Sequence, residues 1–299
     1  MRHALTAAGL WLLALFCGAP AIAADSGMTA TPAIWVAHGL KGTAYLLGSI
    51  HALPKNVNWQ TPQITAAIQS ADTFVFEIPL DKDGRAHGAS LFARNGLFPL
   101  SDSLPSYFDA EMRSEYRDVI MLTRADPTYL VYMRPWLAAL VLQGVADGGT
   151  GFIAAEGVDN KVYAEATARG VKNFRALETA EFQIRLLMGN GNLVDEVEML
   201  RATFKKILVQ HDEPIGGLLA AWAKGDTKKL ASYGPESAMM TPLEKKALLE
   251  DRNRAWIPQI VAMLNEKHTY FITVGAAHLV GKTGVPNLLR AAGYKVDGP

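Results

Sequence analysis

The stretch AYLLGSIHALP (residues 44–54) runs an apolar segment into Gly48-Ser49-Ile50-His51 and stops at Pro54. Residues 34–37 form a second apolar run, and Gly39-Leu40-Lys41-Gly42-Thr43 lies between the two. Apolar runs joined by a glycine-rich turn predict a hairpin, here with an imidazole where its second strand ends. Two further apolar runs finish on an ionisable residue: Phe74-Val75-Phe76-Glu77 and Phe271-Ile272-Thr273-Val274-Gly275-Ala276-Ala277-His278. Two of the three share the spacing Gly-x-x-His.

The intervening chain reads in α/β fashion. Thr61-Pro62 supplies a cap and first-turn proline for a helix through about residue 70, and residues 73–79 read as a strand. From about 105 to 265 the pattern is largely helical. Residues 128–145 are apolar almost all round except for Arg134 and Gln143, which marks a buried helix that Pro135 kinks or divides. Arg134 in such surroundings requires an acidic partner.

A short helix over 162–169 closes at Gly170 and is followed by a strand over 171–177. Helices are expected over 179–187, 193–209, 215–222 and 242–264, then a strand over 269–274, a helix over 285–292 and a last strand over 294–296. The expected fold is one α/β domain over residues 25–299, a mixed central sheet built by N- and C-terminal strands with the helical middle inserted. No tandem repeat is visible.

Residues 1–24 stand apart: Arg2 and His3 precede an apolar core, and Ala21-Ile22-Ala23-Ala24 follow Pro20 in the manner of a secretory cleavage site. The expected location is periplasmic or secreted, with no membrane span after cleavage. Cys17, the one cysteine, lies in that segment, so the remaining chain has neither disulfides nor thiolate chemistry. Basic and acidic residues number 29 each, which gives no bulk charge for nucleic acid.

The chemistry concentrates on His51, Glu77 and His278. In α/β folds ligand sites gather beyond the carboxyl ends of strands, so these three can converge although the histidines are more than 220 positions apart. Two imidazoles and a carboxylate can hold a divalent ion, with Mn²⁺, Co²⁺ or Zn²⁺ suited to mixed nitrogen and oxygen donors, and activate its water. The same groups can also work without metal, with histidine as acid or base. Taken singly, Gly-x-x-His fits a structural histidine as readily; the repetition favours a site.

Secondary candidates follow. Asp159, in Glu156-Gly157-Val158-Asp159, reads first as a helix cap and second as a metal- or substrate-binding residue. Glu178 and Glu156 could assist proton transfer, and Arg252, with Asn253 beside it, could grip a substrate carboxylate or a developing oxyanion. There is no Gly-x-Ser-x-Gly elbow, no His-Glu-x-x-His helix and no complete phosphate loop.

With these residues in view, the chain resembles the TraB/GumN family, which includes pheromone-shutdown proteins and is related to the Tiki proteases. The blocks that carry the likeness are YLLGSIHALP, ADTFVFEI, RPWLAAL, GVDNKVYAEATARGVKNFRALET, DRNRAWIPQI and VGAAHLVGKTGVPNLLRAAGYKV. The resemblance implies a fold shared with erythromycin-esterase-like and ChaN-like proteins, with both Gly-x-x-His blocks in the active centre. It implies a metal-dependent peptidase with His51, Glu77 and His278 as its metal set, and it matches Arg252 and Asn253 to the family's Arg-Asn pair. The expected activity is hydrolysis of a small peptide or other small molecule. The alternatives are a non-catalytic binder of a peptide, pheromone or haem, and a metal-free esterase-like hydrolase using His51 as base.

Overall fold

The computed structural model describes residues 27–148, 152–189, 191–210, 216–237 and 240–299; the expected signal segment and Cys17 lie outside them. Its centre is a six-stranded mixed sheet made of β1 (Ile34–His38), β2 (Thr43–Ser49), β3 (Thr73–Phe76), β4 (Asn173–Ala176), β5 (Thr269–Gly275) and β6 (Lys295–Asp297). The spatial order is β6-β1-β2-β5-β3-β4. β1 is antiparallel to both β6 and β2, whereas β2, β5, β3 and β4 run parallel to one another. The expected mixed sheet, with N- and C-terminal strands side by side, is what the chain forms.

The parallel strands follow from composition. β3 is buried at all four positions and β5 at all but its first. Strands covered on both faces are written as continuous apolar runs rather than alternating ones.

The helices are α1 (Pro62–Ser70), α2 (Lys82–Gly96), α3 (Ala110–Thr123), α4 (Pro135–Gly148), α5 (Val158–Ala168), α6 (Ala180–Met188), α7 (Leu193–Gln210), α8 (Gly216–Ala223), α9 (Thr227–Tyr233), α10 (Asp251–Leu264) and α11 (Val285–Ala291). Residues of α1, α5, α10 and α11, among them Ile64, Val162, Ile260 and Leu289, pack with the sheet in one core. A second core, free of strands, joins α2, α3, α4, α6 and α7 through Phe92, Met112, Trp136, Ile184 and Phe204. Each such side chain taken out of water contributes roughly 1.5–3 kcal/mol.

Pro135 acts as a divider: Pro127–Leu130 is a separate helical turn, and α4 starts at the proline. Arg134 finds its acid in Glu196 of α7, which takes Nε at 3.1 Å and also Nη2. The expected helix over 242–264 is instead a turn at Pro242–Lys245, a π-helical stretch at Lys246–Glu250 and then α10. A π-turn shifts the register of the helix that follows, and such turns recur at functional sites. Here it immediately precedes Arg252.

Candidate active site

The parallel strands all point their carboxyl ends to one edge, and each delivers a charged or titratable residue there. His51 follows β2, Glu77 follows β3, Glu178 follows β4 and His278 follows β5. The registers set the level, pairing Gly48 with Val274 and Ser49 with Gly275. The two Gly-x-x-His segments therefore lie side by side. Gly48 is required by that contact, since a Cβ there would come within 2.9 Å of the Ala276 backbone.

Asp159 is drawn in by the next close approach. A Cβ on Gly157 would lie 2.0 Å from the His51 carbonyl oxygen, and the Val158 N–H donates to Ile50 O at 3.1 Å. The start of α5 is thus pressed onto the His51 loop. Asp159 is not the cap that the sequence suggests; Gly157 holds that position. Its carboxylate instead accepts from His51 Nδ1 at 2.9 Å and from the Ser49 hydroxyl. Because a carboxylate only accepts, Nδ1 carries the ring proton and Nε2 is the basic nitrogen. Burial draws the His51 pKa down, but the charge and hydrogen bond of Asp159, with Glu77 adding to them, leave it above the ordinary histidine value.

Behind His51 lies a second, more deeply buried group centred on Arg252. Its Nε donates to Glu178 Oε1 (2.8 Å), and Nη2 donates to Glu77 Oε2 (2.6 Å) and Glu178 Oε2 (2.8 Å). Nη1 donates to Leu248 O (3.1 Å) and His278 Nε2 (3.0 Å). All five guanidinium N–H groups are thereby committed. The Leu248 carbonyl belongs to the π-helical stretch. Trp256 Nε1 adds a bond to Glu178 Oε1 at 2.9 Å, with its ring against both Arg252 and His278.

His278 is neutral. Asn253 donates its amide to Thr283 O (2.8 Å), so its oxygen faces His278 and accepts the Nδ1 proton at 2.6 Å. Nε2 is therefore the acceptor for Arg252. Burial and the guanidinium charge bring the His278 pKa down to about 3. Glu77 is held ionised: burial favours its neutral form, but Arg252 and the Gly275 N–H (2.7 Å to Oε1) drive its pKa well below the carboxylate range.

These contacts decide how the donors meet the expected metal. Among the described residues no group of three or more His, Cys, Asp or Glu side chains is placed to hold an ion. Both Glu77 oxygens already accept N–H groups, and His278 Nε2 faces a permanent cation. A divalent ion bound by His51, Glu77 and His278 would have to displace Arg252, so in this arrangement the three do not fit it. For the same reason Arg252 has no donor left for a substrate, and Asn253 is spent on fixing the His278 tautomer. Glu178 is an anchor for Arg252, and Glu156 pairs with Lys161 at 2.8 Å.

A cavity of about 60 Å³ opens in front of His51 and Glu77, room for several waters or a small substrate group. Asp159, Gln183 and Thr273 also reach it, whereas Glu156, Glu178, Arg252, Asn253 and His278 do not line it. Ser49, Gln183 and Thr273 escaped the sequence reading as site residues. Ser49 at least sits inside the first Gly-x-x-His segment; Gln183 and Thr273 carry no local signal.

A buried acid–base cluster at the carboxyl edge of a mixed α/β sheet, opening on a small cavity, defines the class of molecule. The chain belongs to the TraB/PrgY/gumN family, whose pattern matches residues 33–298. It is similar to a protein of Shigella flexneri named YbaP and described as uncharacterized, with 22% identity over 251 residues, 83% of this chain and 88% of that one. The Escherichia coli (strain K12) YbaP is similar at 22% over 250 residues, 82% of this chain and 87% of that one. No solved structure matches the chain.

Proposed function

We propose that this protein is an exported hydrolase of small acyl compounds, peptides foremost, in which His51 is the general base. The supporting observation is the Asp159–His51 pair at the cavity wall: a carboxylate fixes the imidazole tautomer, leaves Nε2 as the basic nitrogen and raises the ring's pKa above the ordinary histidine value. Water attacks the substrate carbonyl as His51 Nε2 takes its proton. The new C–O bond forms, the C–N bond breaks, and the proton passes to the leaving nitrogen. Ser49 shares the Asp159 acceptor atom and keeps that carboxylate aligned; it does not bond Nε2, so a serine-nucleophile triad is not the reading.

The Glu77–Arg252–Glu178–His278 group is the rigid charged backing of the cavity. The resemblance to erythromycin-esterase-like and Tiki proteins supports hydrolysis, and the N-terminal segment's secretory pattern supports a periplasmic site of action.

The test is cleavage of a mixed peptide library and of 4-nitrophenyl esters by the purified protein. Expected is turnover that falls by about 10²- to 10⁴-fold in His51→Ala, the range for loss of a general base. It should persist after chelator treatment without gain from added Mn²⁺, Co²⁺ or Zn²⁺. Turnover that requires one of those ions would return the metal reading. Small-molecule binding with no cleavage of any substrate would make the protein a binder.

A further inference from the structure

We propose that the cavity is a recognition site for the free C-terminal carboxylate of a peptide, with Arg85 as the residue that reads it. This rests on the cavity being the substrate site, as above, and adds which end of which substrate enters.

Arg85, in the first turn of α2, lines the cavity. Its Nε donates to Leu80 O at 2.6 Å and one Nη2 hydrogen to Asn160 Oδ1 at 2.7 Å. Asn160 is itself fixed by donation to Ala154 O at 2.8 Å, and the guanidinium lies 5.5 Å from the Tyr163 ring centroid. The fork is thus held in place by neutral groups alone. Among the described residues no carboxylate pairs with Arg85, although Glu77 and Asp159 line the same cavity and are matched to Arg252 and His51. A clamped arginine with a charge and donors to spare, at a cavity walled by Phe76, Ile78, Pro79 and Leu80, suits a planar anion next to an apolar group.

Two buried polar atoms add a second, independent sign of a ligand. Thr273 and Gln183 line this cavity as residues 1% and 2% exposed, and their buried Oγ1 and Oε1 atoms have no hydrogen-bond partner. Buried polar atoms are normally satisfied, and these two are where a ligand or water would satisfy them. The Gln183 assignment is fixed by chemistry, since its amide nitrogen donates to Glu77 Oε2 (3.0 Å) and Glu178 Oε2 (3.1 Å). The oxygen left over accepts only, which calls for an N–H. A carboxylate for Arg85, an N–H for Gln183 and an apolar side chain between them describe the last residue of a peptide.

Gly88 supplies the space. One turn along α2 from Gly84, it is buried and lines the cavity, yet a Cβ on it would meet nothing within 4 Å. The missing side chain is therefore room for the ligand and not room for another part of the protein.

The experiment compares N-acetyl-L-leucine with N-acetyl-L-leucinamide by calorimetry against wild type, Arg85→Gln, Arg85→Lys and Gly88→Leu, with thermal unfolding checking that each variant folds. The wild type should bind the acid about 10- to 100-fold more tightly than the amide, the worth of a charge-assisted bidentate contact. R85Q should erase that preference without weakening the amide, R85K should keep part of it, and G88L should block both. Equal affinity for acid and amide in the wild type, absence of acid binding, or an equal loss of both ligands in R85Q overturns the proposal. Because the readout is binding, a protein that takes the acid but cleaves nothing leaves this inference standing and removes only the catalytic reading.

Discussion

Replacing Arg252 by Met tests the architecture most directly. The substitution removes five hydrogen bonds and leaves Glu77 and Glu178 buried with no cation between them. The three side chains are 10% exposed or less, so water cannot screen the two carboxylates. Breaking a buried pair by removing one partner costs about 3–5 kcal/mol. Against a total stability of about 5–15 kcal/mol, that is a large share.

The cost must also depend on pH. In the wild type Arg252 holds the Glu77 pKa below the usual range, so its stabilisation is full above the unfolded value of about 4.5 and fades as pH falls through the folded one. In R252M burial dominates and the Glu77 pKa rises, so the variant regains stability on mild acidification by taking up a proton. Urea denaturation from pH 5 to pH 8 should show the gap between R252M and wild type widening as pH rises. Adding Glu77→Gln to R252M should recover part of the loss. A gap below about 1 kcal/mol at pH 7, or one that is constant across that range, would refute the assignment of Arg252 as the buried counter-charge.

Asp159→Asn should bring the His51 pKa down by removing the charge that raises it, which an NMR titration of the ring follows directly, and should lower turnover without unfolding the protein. His278, pulled down to about 3, is a group whose folded pKa lies below its unfolded one. It contributes stability in full above about 6.5 and loses it as pH falls toward 3, visible as a histidine that fails to titrate by NMR while acid unfolding sets in. Gly88→Ala puts a Cβ into open space within a helix and should stabilise the fold by about 0.5–1 kcal/mol, measured by urea denaturation. Destabilisation by that change would mean that the cavity is filled by the protein itself.

Much of the scaffold was legible because its signals are local. Apolar runs bounded by turn residues mark β1, β2, β3 and β5, and Thr61-Pro62 marks α1 through its cap. Pro135 announced its break by lacking an N–H, and Arg134 announced an acidic partner by being a charge in apolar surroundings, though not that the partner is Glu196. The π-helical stretch before Arg252 was not legible, because residues 242–264 read as one continuous amphipathic pattern and the extra residue per turn leaves no compositional mark. The cap assigned to Asp159 failed for a related reason: a carboxylate in the first turn looks the same whether it serves its own helix or a loop 108 positions away.

By itself the sequence determined which residues stand at strand ends, and hence that His51, Glu77 and His278 belong to one edge of one sheet. It did so because burial on both faces writes strands as unbroken apolar runs, and the residue that ends each run is plain to see. Only the tertiary structure decided what those residues do to one another. Register placed the two Gly-x-x-His segments side by side, the helix after Gly157 pressed Asp159 onto His51, and Arg252 spent every donor on Glu77, Glu178, His278 and a backbone carbonyl. Those are contacts across the chain at distances of about 3 Å, and a hydrogen bond of that length is set by packing, which no linear spacing encodes.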